Sequence, residues 1–171
     1  MTKEEARILA KNHRDNIDSG LQIIKSKTIV QKIKNNKHYQ NARLIGVYYP
    51  FGSEVDIKGL THQYAKFAYP RIKNGKMDFI LVTDKTKWQK SHFGIMEPRK
   101  GKIVNSEIDL LLISSLARNK DNYRLGYGKG FYDSFIKMYH PKHTIGIVFD
   151  NYTLDFIENL WDIPLDEYIS N

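Results

Sequence analysis

Residues 107–114 read EIDLLLIS, and the unbroken apolar run from Leu110 to Ile113 within them decides the fold class. A strand with one face in water alternates apolar and polar residues, whereas a strand that is buried on both faces does not. Strands buried on both faces are typical of parallel sheets that carry helices on either side. We therefore predict a central strand here, in a sheet of the α/β class.

Strand-like and helix-like segments alternate on both sides of this run. Apolar, β-branched and aromatic residues predict further strands at 42–50, 67–69, 78–83, 143–150 and 165–170, and Pro70 is expected to end the second of these. Helical spacing predicts helices at 3–17, 19–35 and 131–140, with shorter ones at 56–66 and 154–161. Residues 84–107 are polar and are expected to be irregular. The alternation predicts a single layered α/β domain over residues 1–171, with a mainly parallel sheet flanked by helices.

The composition excludes some kinds of site and leaves others open. The chain has no cysteine, which rules out disulfides and cysteine-ligated zinc, and its six histidines show no metal-ligand spacing. No apolar run is long enough to span a membrane, and the charged first residues do not resemble a signal peptide, so we expect a cytoplasmic protein with no membrane partner. The net charge of +8 favours polyanionic ligands, although the even spread of lysines also fits a general compositional bias.

A second stretch, RLGYGKGFYD at residues 124–133, predicts where a ligand binds. Its alternate glycines allow positive φ angles and remove Cβ atoms that would block a ligand, so that backbone N–H groups can converge on an anion at the start of the next helix. Lys129 and Arg124 can neutralise phosphate oxygens, and Asp133 is compatible with phosphate if Mg²⁺ binds to both. By itself, such a loop is also explained as a glycine-rich turn before a helix.

These ten residues, with others in order along the chain, resemble the 5-formyltetrahydrofolate cyclo-ligase family, also called methenyltetrahydrofolate synthetases. The other matching segments are Lys3 and Arg7 on the first helix, Glu54-Val55-Asp56, Pro70-Arg71, FGIMEP at 93–98 and WDIPLDEYIS at 161–170. The sequence also departs from the family pattern: Ser114-Ser115 replace a usual Pro-Gly, Ile57 replaces a threonine and Phe131 a tyrosine, and ARNKDNY at 117–123 stands where the family has Phe-Asp and Gly. The resemblance covers nearly the whole chain.

The resemblance implies a fold and a reaction. The fold is Rossmann-like, of the type found in sugar-phosphate isomerases and CoA transferases. The reaction is the conversion of 5-formyltetrahydrofolate to 5,10-methenyltetrahydrofolate with MgATP, in which the γ-phosphate is transferred to the formyl oxygen and nitrogen 10 closes the ring. The implied partners are therefore Mg²⁺ and two small-molecule substrates, ATP and the folate, with no nucleic acid, and the protein is expected to be a monomer or weak dimer.

The resemblance also implies roles for individual residues, with Lys129 and Arg124 as the catalytic pair. The implied ATP-binding residues are Lys3, Arg7, Arg124, Leu125, Gly126, Tyr127, Gly128, Lys129, Gly130, Phe131 and Tyr132. The implied folate-binding residues are Tyr49, Glu54, Phe93, Tyr127, Gly128, Lys129, Gly130, Phe131 and Tyr132, and the implied Mg²⁺ ligands are Asp133 and Asp162. A carboxylate at Glu54 suits the donor-rich edge of a pterin. Each type of residue also has a structural explanation: the cations are solvated at the surface, the aromatic residues pack in the core, and Asp162 caps a turn.

Two other functions remain open on the sequence. A nucleic-acid-binding module would account for the positive charge and the scattered aromatic residues, but for neither Asp133 nor the ordered motifs. A different enzyme of the same fold that binds a phosphorylated ligand, such as a sugar-phosphate isomerase, would account for the glycine loop without ATP.

Overall fold

A computed structural model describes residues 1–171. Four helices and ten strands follow one another along the chain, with short 3₁₀ turns at Asn105–Glu107 and Phe149–Asn151. The helices and strands are α1 (Lys3–Asp15), α2 (Ser19–Lys34), α3 (Lys37–Asn41), β1 (Leu44–Gly46), β2 (Lys66–Lys73), β3 (Lys76–Val82), β4 (Trp88–Lys90), β5 (Met96–Pro98), β6 (Leu110–Ser114), β7 (Ala117–Arg118), β8 (Arg124–Leu125), α4 (Phe131–Tyr139), β9 (His143–Ile147) and β10 (Glu167–Ile169).

Six of these strands form the central sheet, in the order β10-β9-β6-β1-β2-β3. Every neighbouring pair is parallel except β2 and β3, which form an antiparallel hairpin at one edge. This arrangement confirms the predicted α/β class and the mainly parallel sheet. None of the helices combines the length and the apolar character that a membrane crossing requires.

Strand β6 is buried over its whole length, as its apolar run predicts. Successive side chains point to opposite faces of a strand. Accordingly, Leu110 and Leu112 join an apolar cluster with Ile29 of α2, whereas Leu111 and Ile113 join a second cluster on the other face. Burying each such side chain contributes about 1.5–3 kcal/mol, so this strand holds the two layers of helices on the sheet.

Strand β2 continues through Pro70, contrary to the prediction that it ends there. The parallel partner β1 pairs with β2 only as far as Ala68, so the missing N–H of Pro70 removes no hydrogen bond from the sheet. Farther along β2, the N–H of Ile72 donates to Glu97 Oε2 at 3.1 Å. Glu97 Oε1 accepts from the side chain of Gln89, and this carboxylate therefore ties β2 to a β4–β5 hairpin within the segment expected to be irregular.

Residues 56–66 form no helix, although one was expected there. The carboxylate of Asp56 accepts the N–H of Lys58 at 3.0 Å, which closes a local turn. The carbonyl of Thr61 accepts a hydrogen bond of 2.7 Å from the hydroxyl of Tyr39. Side chains thus satisfy backbone groups that a helix would have paired with one another.

Residues 154–161 also form no helix. The N–H of Leu154 donates to the carbonyl of Arg118, and the N–H of Asn159 donates to the carboxylate of Asp162 at 2.6 Å. These long-range and local bonds hold the segment as a loop against strand β7, so the prediction was wrong because tertiary contacts override a weak helical pattern.

Candidate active site

A cavity of about 330 Å³ lies at the carboxyl ends of the parallel strands β1 and β6. In α/β sheets this is the edge where ligands usually bind. Tyr48 and Tyr49, which follow β1, and Ser114, which ends β6, form its floor, and the glycine loop and α1 line the opposite side. Every predicted site residue lines the cavity except Leu125.

The glycine loop presents a continuous run of free backbone donors. No N–H group from Gly126 to Asp133 makes a hydrogen bond within the chain, and the first bond of α4 runs from Ser134 N–H to the carbonyl of Gly130 at 3.1 Å. Gly128 and Gly130 have φ angles of +92° and +72°, a region that favours glycine. Because these N–H groups lie at the positive end of a helix, the loop is suited to bind an anion.

Two arginines lie against this loop with their forks free. Nε of Arg7 donates to the carbonyl of Gly126, and Nε of Arg124 donates to the carbonyl of Ser114, both at 2.8 Å. The terminal nitrogens of Arg7 and Arg124 make no hydrogen bond within the chain. The two glycines leave room for these guanidinium groups. A Cβ at Gly126 would lie 2.3 Å from Arg124 Nη1, and one at Gly128 would lie 3.2 Å from Arg7 Cζ.

The two predicted lysines differ in their surroundings. Lys129 forms no ion pair or hydrogen bond, and its Nζ lies 5.5 Å from the centre of the Phe93 ring. Lys3 instead forms an ion pair with Asp162, whose carboxylate also accepts the N–H of Asn159. Lys129 therefore has an uncompensated charge for a ligand, whereas Lys3 is already neutralised in the free protein.

The two predicted metal ligands each keep one carboxylate oxygen without a partner. Asp133 Oδ1 accepts the N–H of Ile163 at 3.0 Å, while Oδ2 makes no bond within the chain. Asp162 uses Oδ2 for both Lys3 and Asn159, and Oδ1 stays free; the alternative role as a turn cap is thus also present. Mg²⁺ commonly takes one or two protein carboxylates and completes its shell with phosphates and water, and this pair fits that pattern.

Glu54 lies in the loop after β1, with its carboxylate facing the cavity. Its Oε2 accepts the N–H of Phe51 at 3.1 Å, and the side chain of Ser114 lies near the same carboxylate. Burial raises the pKa of Glu54, while the nearby guanidinium groups of Arg14 and Arg124 oppose the rise. The site therefore holds a partly desolvated acceptor that a ligand with paired N–H donors can satisfy.

Aromatic rings form the walls of the cavity. The ring of Tyr49 packs against Trp88 with centroids 5.6 Å apart, and Phe93 contacts Phe131 at 6.5 Å. Phe93 is 41% exposed, which is high for a large apolar side chain and leaves its face available to a planar ligand. The guanidinium of Arg124 lies over the ring of Tyr132, 5.0 Å from its centre.

Leu125 is the one predicted site residue that the structure places elsewhere. Its side chain is fully buried in a cluster with Leu116, Ala117 and Ala10 of α1. Its carbonyl accepts the N–H of Leu116 at 2.9 Å. Leu125 anchors the start of the loop to the core, and its side chain does not line the cavity.

Arg14 supports the site without lining the cavity, and the sequence did not predict this role. It is only 5% exposed; its Nε donates to Ser53 Oγ at 2.9 Å, and Nη2 donates to the hydroxyl of Tyr127. These bonds connect α1 to the loop that carries Glu54 and to the glycine loop. A signal was available, because Arg7 and Arg14 are seven residues apart and so share one face of the helix.

Comparison with known proteins identifies the family of this chain. The model of the 5-formyltetrahydrofolate cyclo-ligase family matches residues 1–170. A 5-formyltetrahydrofolate cyclo-ligase of Mycoplasma pneumoniae is 29% identical over 135 residues, which cover 75% of this chain and 73% of that protein. One of Haemophilus influenzae is 26% identical and covers 95% of this chain and 94% of that protein.

Two solved structures share the fold. A 5,10-methenyltetrahydrofolate synthetase of Aquifex aeolicus superposes with a TM-score of 0.86 at 24% identity, covering 99% of this chain and 89% of that one. One from Mycoplasma pneumoniae superposes with a TM-score of 0.79 at 23% identity and covers 99% of both chains. Because the family model matches almost the whole sequence, this chain belongs to the 5-formyltetrahydrofolate cyclo-ligase family.

Proposed function

We propose that this protein converts 5-formyltetrahydrofolate to 5,10-methenyltetrahydrofolate with MgATP, releasing ADP and phosphate. The observation that carries the proposal is the run of unbonded N–H groups from Gly126 to Asp133, at the mouth of a helix and beside three cations, Arg7, Arg124 and Lys129. Unsatisfied donors in a cavity call for an anionic ligand. Family membership supports a nucleotide phosphate chain as that ligand.

The triphosphate binds along the glycine loop in this proposal. The backbone N–H groups and the free forks of Arg7 and Arg124 hold the phosphate oxygens. Lys129 has no partner in the chain, and it contacts the γ-phosphate during transfer. Lys3 takes part only if the phosphate shares it with Asp162, because the two are paired in the free protein.

The folate occupies the aromatic half of the same cavity. Tyr49 and Phe93 stand on either side of a planar pterin, and Tyr132 extends the wall toward the phosphate loop. The carboxylate of Glu54 accepts N–H bonds from the pterin edge. This position brings the formyl group close to the loop that holds the γ-phosphate.

The chemistry then needs alignment and charge neutralisation more than acid–base catalysis. The formyl oxygen attacks the γ-phosphorus, the bond to the β-phosphate oxygen breaks, and ADP leaves. Nitrogen 10 attacks the activated formyl carbon and loses its proton, and the C–O bond breaks to release phosphate. The Arg124 fork and the Lys129 ammonium stabilise the negative charge on the phosphoryl group throughout.

Asp133 and Asp162 would hold Mg²⁺ through their free oxygens. The ion would supply further neutralisation of the phosphate chain when bound. The side chains themselves keep these oxygens in place, because Asp133 is fixed by the N–H of Ile163 and Asp162 by that of Asn159.

The test is an absorbance assay with 5-formyltetrahydrofolate, because methenyltetrahydrofolate absorbs in the near ultraviolet. We expect product only when ATP and Mg²⁺ are both present, and one ADP for each product molecule. Absence of product under these conditions would overturn the proposal. Turnover of a phosphorylated substrate without ATP would support a different enzyme of this fold, and salt-sensitive oligonucleotide binding without turnover would support a nucleic-acid-binding module.

A further inference from the structure

A cluster of His38, His143 and Glu167 lies at the edge of the sheet opposite the cavity. His143 is the first residue of β9 and Glu167 the first of β10, so both lie at the amino ends of parallel strands. His38 comes from the short helix α3. One ligand atom from each of the three side chains lies within 4.8 Å of those of the other two, and all three residues are partly buried.

The hydrogen bonds of this cluster leave His38 without a partner. His143 Nε2 lies 2.8 Å from Glu167 Oε1, which also accepts from the side chain of Asn36. The ring of His38 stacks on that of His143, with centroids 3.5 Å apart and planes inclined by 10°. Neither ring nitrogen of His38 makes a hydrogen bond within the chain. Two imidazoles and a carboxylate therefore converge, with one imidazole held only by stacking.

We propose that His38, His143 and Glu167 bind one Zn²⁺ ion, with water completing the coordination. Zinc takes imidazole nitrogen and carboxylate oxygen at about 2.0–2.2 Å, so tetrahedral ligand atoms lie roughly 3.3 Å apart. The pair of His143 and Glu167 needs to open by only about 0.5 Å to reach that spacing. The proton between them leaves when the metal binds, and the His38 ring turns out of the stack.

The ligand set selects the metal. Imidazole suits zinc and neighbouring transition metals, whereas Mg²⁺ prefers an all-oxygen shell. The site is therefore chemically distinct from the aspartates proposed for Mg²⁺ in the cavity. Because the three ligands come from α3, β9 and β10, a bound ion would connect helix α3 to the edge of the sheet.

This cluster could not be predicted from the spacing of its residues along the chain. The six histidines show no metal-ligand spacing, since the two that meet here are far apart in the chain. Strands β9 and β10 are parallel neighbours in which Glu167 pairs with Ile145, so His143 lies two residues before the partner of Glu167 and its side chain reaches the carboxylate.

Titration of the whole protein with zinc tests this proposal. Binding is measured by calorimetry and by competition with a chromophoric zinc indicator. We expect one equivalent to bind with a micromolar dissociation constant, and millimolar Mg²⁺ to leave that value unchanged. His38→Gln and Glu167→Gln should each weaken binding by at least about tenfold, in line with the loss of one ligand. His92→Gln is the matched control, because His92 is an exposed histidine outside the cluster and should bind zinc as the wild type does.

Circular dichroism and MgATP-dependent turnover report whether each variant remains folded. Co²⁺ in place of zinc should give visible absorption bands in the wild type that are lost in His38→Gln. Binding of less than one equivalent, or equal weakening in His92→Gln and His38→Gln, would overturn the proposal. So would wild-type affinity in folded His38→Gln and Glu167→Gln proteins.

Discussion

Gly126→Ala should remove activity while leaving the fold in place. An added Cβ would lie 2.3 Å from Arg124 Nη1 and 2.7 Å from its Cζ, far inside van der Waals contact. The atoms it meets are the end of a flexible side chain, so the guanidinium moves and the backbone does not. Gly126 has no positive φ, and alanine can adopt its backbone conformation.

The size of the effect follows from what Arg124 does. Displacing its guanidinium breaks the charged hydrogen bond to Ser114, which contributes about 1.5–3 kcal/mol. Replacing glycine by alanine offsets part of this through the unfolded chain, by about 0.4–1 kcal/mol. The melting temperature should therefore fall by only a few degrees. Losing a preorganised cation at the transferring phosphoryl group should lower kcat by about 10²–10³-fold.

The assay is kcat/KM from the absorbance of methenyltetrahydrofolate, with thermal unfolding measured in parallel. Gly59→Ala is the matched control, because a Cβ at Gly59 meets no atom within 4 Å and should leave both quantities unchanged. Arg124→Ala should resemble Gly126→Ala, and the double variant should be little worse than either, since both remove the same group. Wild-type turnover in Gly126→Ala, or a double variant in which the two losses multiply, would refute the reasoning.

Three further variants test other parts of the site. Lys129→Ala should lower kcat by about 10²–10³-fold with an unchanged melting temperature, because Lys129 makes no hydrogen bond or ion pair in the chain; an equal kcat would exclude it from phosphate transfer. Glu54→Gln should raise the folate KM without loss of stability. Burial raises the pKa of Glu54, so the stability that the protonated side chain contributes is present at low pH and is lost as the pH rises through that pKa. At pH 8 the buried charge destabilises the fold, and glutamine removes that charge. A lower melting temperature of Glu54→Gln at pH 8 would contradict this expectation. Arg14→Met should lower both stability, by about 1–3 kcal/mol in chemical denaturation, and kcat/KM, because it leaves the Tyr127 hydroxyl without a partner and removes one of the two hydrogen bonds of Ser53; a loss confined to stability would limit Arg14 to folding.

The class of the fold was predictable because the sequence of one strand shows that it is buried on both faces. The run Leu110–Ile113 has no polar position, and the structure buries it between two apolar clusters. The order of the strands in the sheet was beyond reach, because it depends on which distant segments pair. Pro70 shows the same limit. The sequence shows that Pro70 lacks an N–H group, but whether the sheet needs a donor at that position depends on how far the neighbouring strand β1 extends.

The glycine loop was predictable from its own residues, whereas Lys3, Arg7, Glu54, Phe93 and Asp162 were predicted only through the family resemblance. The glycine loop and its cations are adjacent in sequence, and the structure brings them into one cavity with Glu54 and Phe93. Long-range pairs were not predictable: Lys3 is matched by Asp162, and Arg14 reaches across to Tyr127. Leu125 lies within the binding motif, but its side chain packs in the core, and the motif alone does not reveal this.

The most direct measurement of the central claim is a crystal structure with Mg²⁺ and a non-hydrolysable ATP analogue. We predict that the phosphate chain lies against the N–H groups of Gly126–Asp133, with its γ-phosphate between the forks of Arg7 and Arg124 and within reach of Lys129. A nucleotide bound elsewhere, with these N–H groups facing only water, would contradict the account.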